Sequence, residues 1–151
     1  ASLAYKGFAK WLQIGAGYRL CYDEKGRDFQ YENQPFFLAK TSWNIKGWGI
    51  SDNTRFEYRD KEKGNDLWRL RSKLIVAAPW KFTKYAIRPF AADELYFDCD
   101  EEDFNQNRIY GGLMFNIVEH VGGEVYYMLQ RADKGDWIDY NVIGTKLKFS
   151  F

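Results

Sequence analysis

Residues 67–76 read LWRLRSKLIV, and the order of their side chains decides the fold. Trp68, Leu70, Leu74 and Val76 occupy one side of a two-residue period, and Arg69, Arg71 and Lys73 occupy the other. Successive side chains of a β-strand point to opposite faces, so this stretch predicts a strand with one apolar and one charged face. Moving upstream, Arg55, Glu57 and Arg59 alternate with Phe56 and Tyr58. Moving downstream, Ile109, Leu113, Phe115 and Ile117 alternate with Arg108, Tyr110 and Asn116. At the far end Lys146, Lys148 and Ser150 alternate with Leu147, Phe149 and Phe151. Near the start Leu12, Ile14, Tyr18 and Leu20 oppose Gln13, Arg19 and small glycines.

Eight such segments are predicted, near 10–23, 34–45, 48–59, 66–78, 83–97, 106–118, 123–132 and 137–151. Turn chemistry separates them at Lys25-Gly26, Lys46-Gly47, Lys63-Gly64-Asn65, Ala78-Pro79, Asn105 to Asn107, Gly122-Gly123 and Lys134-Gly135. Gly admits positive φ and Pro ends a ladder, which is why these positions punctuate strands. Short links (45–48, 78–83, 118–123) are expected on one rim and longer polar ones (23–34, 59–66, 97–106, 131–137) on the other. The expected architecture is a single domain over 1–151, an all-β, antiparallel up-and-down barrel of at least eight strands. Ala1 to Tyr5, ahead of a turn-like KGFAK, could end an earlier strand of a longer parent with ten or twelve.

Composition narrows the class. Twelve Phe, eleven Tyr and six Trp in 151 residues suit a pleated surface. A formal net charge of +1 with scattered Lys and Arg gives no field toward nucleic acid. Cys21 and Cys99 are too few for a disulfide framework, and no metal-ligand spacing surrounds them. One bridge between them is conceivable, with two free thiols the favoured alternative. The longest apolar run, LIVAAPW from Leu74, is much shorter than the ~20 residues of a spanning helix. No signal peptide stands at Ala1, as in a mature secreted chain or a cytosolic one.

Period-two alternation fits a soluble barrel with its apolar face inside and a membrane barrel with its apolar face outside. Three features favour the membrane. The segments reach the ~9–11 residues that a tilted strand needs to cross lipid. Trp11, Tyr22, Trp43, Trp48, Tyr58, Trp68, Trp80, Tyr85, Tyr96 and Trp137 collect near segment ends, where aromatic girdles form. The final GTKLKFSF has the form of a C-terminal assembly signal, with Gly144, Leu147, Phe149 and Phe151 at its key places. Lipid-facing positions are then Leu12, Ile14, Phe56, Leu70, Leu74, Ile109, Leu113, Phe115, Leu147 and Phe149. Asp93 falls on that same side, and a bulge near Ala91-Ala92 or a height above the hydrocarbon is expected to accommodate it.

Three stretches carry a family likeness: WGISDNTRFEYRD, LWRLRSKLIVAAPWKFTKYAIRPFAADE, and NQNRIYGGLMFNIVEHVGGEVYYMLQ with the closing DWIDYNVIGTKLKFSF. Together they resemble an uncharacterised family of bacterial outer-membrane β-barrel proteins, a domain of unknown function, from about Trp11 onward. The resemblance implies location and fold and brings no activity or catalytic residues. Members of that family extend further upstream than Ala1, which implies additional N-terminal strands in a longer parent.

The charged ladder is the main functional candidate. Arg19, Lys40, Arg55, Arg59, Arg69, Arg71, Lys73, Arg88 and Arg108 should face inward with Glu57, Glu94 and Glu124. This set reads either as a cationic lumen attracting anionic solutes or, in a narrow barrel, as a salt-bridge plug. Asp98, Asp100, Glu101, Glu102 and Asp103 lack the alternate-ligand spacing of a calcium loop and read as a solvated loop. His120, the single histidine, has no serine in a nucleophile setting and reads as a turn residue. The Gly15/Gly17 and Gly111-Gly112 pairs read as relief for curvature or bulky neighbours.

The functional expectation is an outer-membrane barrel of structural or passive-transport (porin-like) role, without cofactor, metal or catalytic residues. Its partners are outer-membrane lipid, lipopolysaccharide and the assembly machinery, with no nucleic acid. The alternatives are a membrane-embedded enzyme acting on lipid or lipopolysaccharide and a soluble lipocalin-like binder.

Overall fold

A computed structural model describes residues 2–25, 28–133 and 135–149, with side chains described outside 23–29. Gly26, Lys134, Ser150 and Phe151, which carry parts of two expected turns and of the terminal signal, lie outside the described residues.

The strands are β1 (Ser2–Ala9), β2 (Leu12–Lys25), β3 (Asp28–Ile45), β4 (Trp48–Lys61), β5 (Leu67–Ala77), β6 (Arg88–Asp98), β7 (Asp103–Val118), β8 (Val121–Asp133) and β9 (Trp137–Phe149). They form one sheet in sequence order, every neighbouring pair antiparallel. Nine strands among the described residues agree with the expectation of at least eight, and β1 is the earlier strand suggested ahead of KGFAK. Lys6, Gly7 and Phe8 continue β1, and its turn falls at Lys10-Trp11. The sheet is not closed: β1 and β9 are its two edges and do not touch each other.

The expected difference between rims is corrected too. The 23–34 segment is not a long loop, because β2 and β3 pair out to Lys25 and Asp28. Asn105 to Asn107 lie inside β7, and the reversal falls at 99–102. The 78–83 link instead extends over 78–87, with its own small bridge between Phe82 and Ile87. Lys46-Gly47 forms the tightest hairpin. Both residues have positive φ (51° and 88°), the geometry whose twist matches paired strands, and Ile45 pairs Trp48 directly across it. Asn44 Oδ1 accepts a 3.1 Å hydrogen bond from Gly47 N.

Register sorts the side chains into two faces. One row across the sheet runs Leu38, Arg55, Arg71, Tyr96 and Gln106; the neighbouring parallel row runs Lys40, Asn53, Lys73, Glu94, Arg108 and Gln130. In a single sheet only curvature can bury one face, and this is the buried one. Glu57 and Glu94 have no exposed surface, and Phe36, Phe90, Tyr96, Tyr110 and Met128 are buried beside them. The opposite, outer face is apolar and open: Phe37, Ile143 and Leu147 are 68%, 81% and 60% exposed.

The inner face has two zones. Toward the 62–66 turn it is charged. Toward the 46–47 and 78–87 turns it holds an apolar cluster of Ala77, Phe90, Ala92, Tyr110 and Met128, packed by Ile75, Met114 and Tyr126. Gly112 and Gly144 flank Tyr126 in register on either side, and Gly144 leaves room for its ring. A Cβ on Gly144 would lie 2.5 Å from the ring's Cζ, and one on Gly112 2.3 Å from the Val125 carbonyl oxygen.

Candidate functional site

The predicted charged residues all fall in register on the inner face, and their side chains separate into distinct groups. Arg59 on β4 grips Glu32 on β3 through two hydrogen bonds, the second (Nη2 to Oε2) 2.7 Å long. Gln34 Nε2 donates to the same carboxylate at 2.8 Å. Next along, Arg69 donates through Nε (2.6 Å) and Nη2 to Glu57 Oε1. Arg55 Nη1 stands 3.9 Å from Glu57 Oε2. In the third group Glu94 accepts from Arg71 and from the Tyr110 hydroxyl, with Arg108 Nη1 at 3.8 Å.

Aromatic rings fill the spaces between these ions. The Tyr96 ring lies 5.0–5.3 Å from the guanidinium carbons of Arg69, Arg71 and Arg108. Arg108 Nη1 also donates to the Tyr96 hydroxyl at 2.6 Å, and its Nε donates to Gln130 Oε1 at 2.8 Å. Lys73 Nζ stands 3.5 Å over the Tyr110 ring. The flat faces of these rings are electron-rich, so they offset part of the cost of holding cations together away from bulk water.

Four predicted members lie apart from this network. Arg88 joins no carboxylate. It donates to the carbonyl oxygens of Gly47 (2.8 Å), Ala77 (2.9 Å) and Ala78, clamping the 46–47 turn to the 78–87 loop. Glu124 pairs with Lys148 on β9. Arg19 and Lys40 have no carboxylate partner among the described residues and are exposed.

Sequence reasoning missed Glu32 and Gln34; it set Tyr96 in the aromatic girdle and Asp98 in a solvated loop, whereas Tyr96 is buried on the inner face and Asp98 is buried at the end of β6. The signal for the first two was available, since Glu32, Gln34 and Phe36 continue the inner alternation of β3; starting that strand at 34 cut it short. Asp98 ends β6 and serves the backbone, accepting from Asp100 N at 3.1 Å. Asp100 in turn accepts from Trp68 N at 2.7 Å, so this acidic stretch pins the reversal to β5.

The ten residues assigned to the outer face by alternation lie there in register. Asp93 is also there. The expected bulge at Ala91-Ala92 is absent, because pairing runs unbroken from Arg88 to Tyr96. The register shift lies instead between Tyr96 and Phe97. Asp93 accepts from Asn107 Nδ2 at 2.6 Å, and nearby Asp52 accepts from Thr54 (2.6 Å) and Ser72 (2.8 Å). These groups make a short polar seam across an apolar surface. Cys21 and Cys99 are free thiols.

Such a molecule belongs to the class of all-β, up-and-down antiparallel sheets whose curved inner face is ionic and whose outer face is apolar. Over residues 1–141 it matches the family described as protein of unknown function (DUF2490), and the chain belongs to that family. No curated protein and no solved structure matches it.

Proposed function

We propose that this chain forms the wall of a transmembrane β-barrel in the bacterial outer membrane, with a structural or passive-transport role. The observation that carries the reading is the inversion of its two faces. Soluble monomers rarely leave an apolar patch larger than a few hundred Å² open, yet here one side of the sheet is apolar apart from a polar seam and an exposed ion pair. The fully buried side chains are instead glutamates held by arginines.

Dimensions and aromatic placement support the same reading. At ~3.3 Å per residue an 11-residue strand is ~36 Å long, and tilted by ~40° it rises ~28 Å, close to the ~30 Å hydrocarbon core. The shortest of β2–β9 has 11 residues. Ring pairs gather at both rims of the outer face, Trp11 with Trp43 and Trp48 with Trp80 at one, Tyr58 with Trp68 and Phe97 with Phe104 at the other. Amphipathic rings favour headgroup depth. A lipocalin-like binder needs an apolar interior, and the charged zone counts against that alternative.

The test is partition. Expressed in a Gram-negative host with an export signal, the protein should sediment with outer membranes and resist alkaline carbonate, leaving only with detergent. Its tryptophans should be quenched by lipids brominated along the acyl chain. Release into the aqueous phase without detergent, with no quenching, would overturn the proposal. Planar-bilayer conductance then separates the two roles: steady current means passage, and its absence means a sealed wall.

A further inference from the structure

The buried side-chain atoms without a hydrogen-bond partner among the described residues fall in one place. They are Gln34 Oε1, Arg55 Nε, Arg55 Nη1 and Glu57 Oε2. All three residues surround Phe36. Gln34 precedes it by two positions on the same face, Glu57 is its partner in register, and the Arg55 guanidinium stacks 4.2 Å from its ring centre. Two of the atoms are donors on a cation and two are acceptors. The 3.9 Å between Arg55 Nη1 and Glu57 Oε2 is too long for a hydrogen bond, so neither satisfies the other.

The charge around this spot is positive. Glu57 is already committed through its other oxygen to Arg69. Arg55 lies directly across from Arg71, whose carboxylate partner is Glu94. Arg19, opposite Gln34 in register, is near enough to act on Arg55 as a like charge and has no carboxylate partner among the described residues. Buried polar atoms are normally matched, and a cluster of unmatched ones on a curved, cationic face has the character of a binding site. An unmatched guanidinium donor suits an oxyanion. The two unmatched acceptors ask for a hydrogen-bond donor on the ligand.

We infer that Arg55, Glu57 and Gln34 bind a small oxyanion that also presents a hydroxyl, hydrogen phosphate being the simplest. Arg55 donates to an oxygen of the anion, Glu57 Oε2 or Gln34 Oε1 accepts the hydroxyl proton, and Arg19 adds attraction. The inference rests on the proposed role only in naming what the inner face of the wall would meet.

Isothermal titration of the folded, detergent-solubilised protein at constant ionic strength tests it, with inorganic phosphate and sulfate as probes. Sulfate has the charge and oxygens of phosphate but no proton to give. Saturable phosphate binding is expected, clearly tighter than for sulfate. Arg55→Gln should weaken it by about tenfold or more. Arg55→Lys, which keeps the charge and loses the planar guanidinium, should weaken it less, and serves if the Gln variant does not fold. Arg19→Gln should weaken it by about two- to fivefold through charge alone, whereas Arg131→Gln, on the outer face, should change nothing. Equal affinity for the two anions, no saturable binding, or unchanged affinity in both Arg55 variants would overturn the site. A protein that binds phosphate yet leaves the membrane without detergent would overturn the membrane role and spare the site; the converse result would do the opposite.

Discussion

At the scale of single residues, Glu94 gathers three partners on the inner face. It has no exposed surface and is held by Arg71, Tyr110 and Arg108. Removing one partner of a buried ionic cluster leaves the others uncompensated, a loss of about 3–5 kcal/mol. Glu94→Ala should therefore lower the urea midpoint of the protein in detergent or vesicles sharply. Arg131→Ala, which breaks the exposed pair with Asp139, should leave it unchanged. Asp93 makes the opposite prediction. On an apolar face its carboxylate opposes transfer into lipid, so Asp93→Asn, which can keep the contact with Asn107, should raise the inserted fraction or leave it equal. A fall in insertion would show that the charge is needed where it stands. The alternation of Arg with apolar residues made the membership of the ladder legible. The partners were not, since which carboxylate meets which guanidinium depends on cross-strand register, and alternation within one strand carries no record of it.

At the scale of elements, long strands were easy to recognise and their ends were not. Residues such as Asn33, Glu32 and Gln30 look like loop composition, yet they pair in β2–β3, because the buried side of this stretch is lined by a carboxylate held by Arg59 and an amide in place of apolar side chains. The apolar zone of the inner face was hidden for a related reason. Tyr110, Tyr126 and Met128 sit on the charged side of their strands, and only assembly of β6 to β8 brings them together. The Lys46-Gly47 turn was legible, since few residue pairs tolerate two successive positive φ values. Gly47→Ala should cost about 1–2 kcal/mol, measured by urea unfolding. Two effects add: a left-handed φ, and a Cβ only 2.9 Å from Pro79.

At the scale of the whole molecule, the proposed role makes the outer face the surface on which lipid acts. Leu147→Arg and Phe115→Arg place a cation there, at a cost of about 2–4 kcal/mol near the bilayer midplane. Each should reduce the fraction that folds into lipid vesicles, as read by the gel-mobility shift between unheated and boiled samples. Normal assembly of both would remove these positions from the hydrocarbon.

The two free margins of the sheet carry one more consequence. With nine strands in up-and-down order, β1 and β9 point the same way. Joining them edge to edge would require the slanted bonding of parallel neighbours, found nowhere else in the sheet. Closing the cylinder in the style of every other seam demands an odd number of intervening strands, whatever polypeptide provides them.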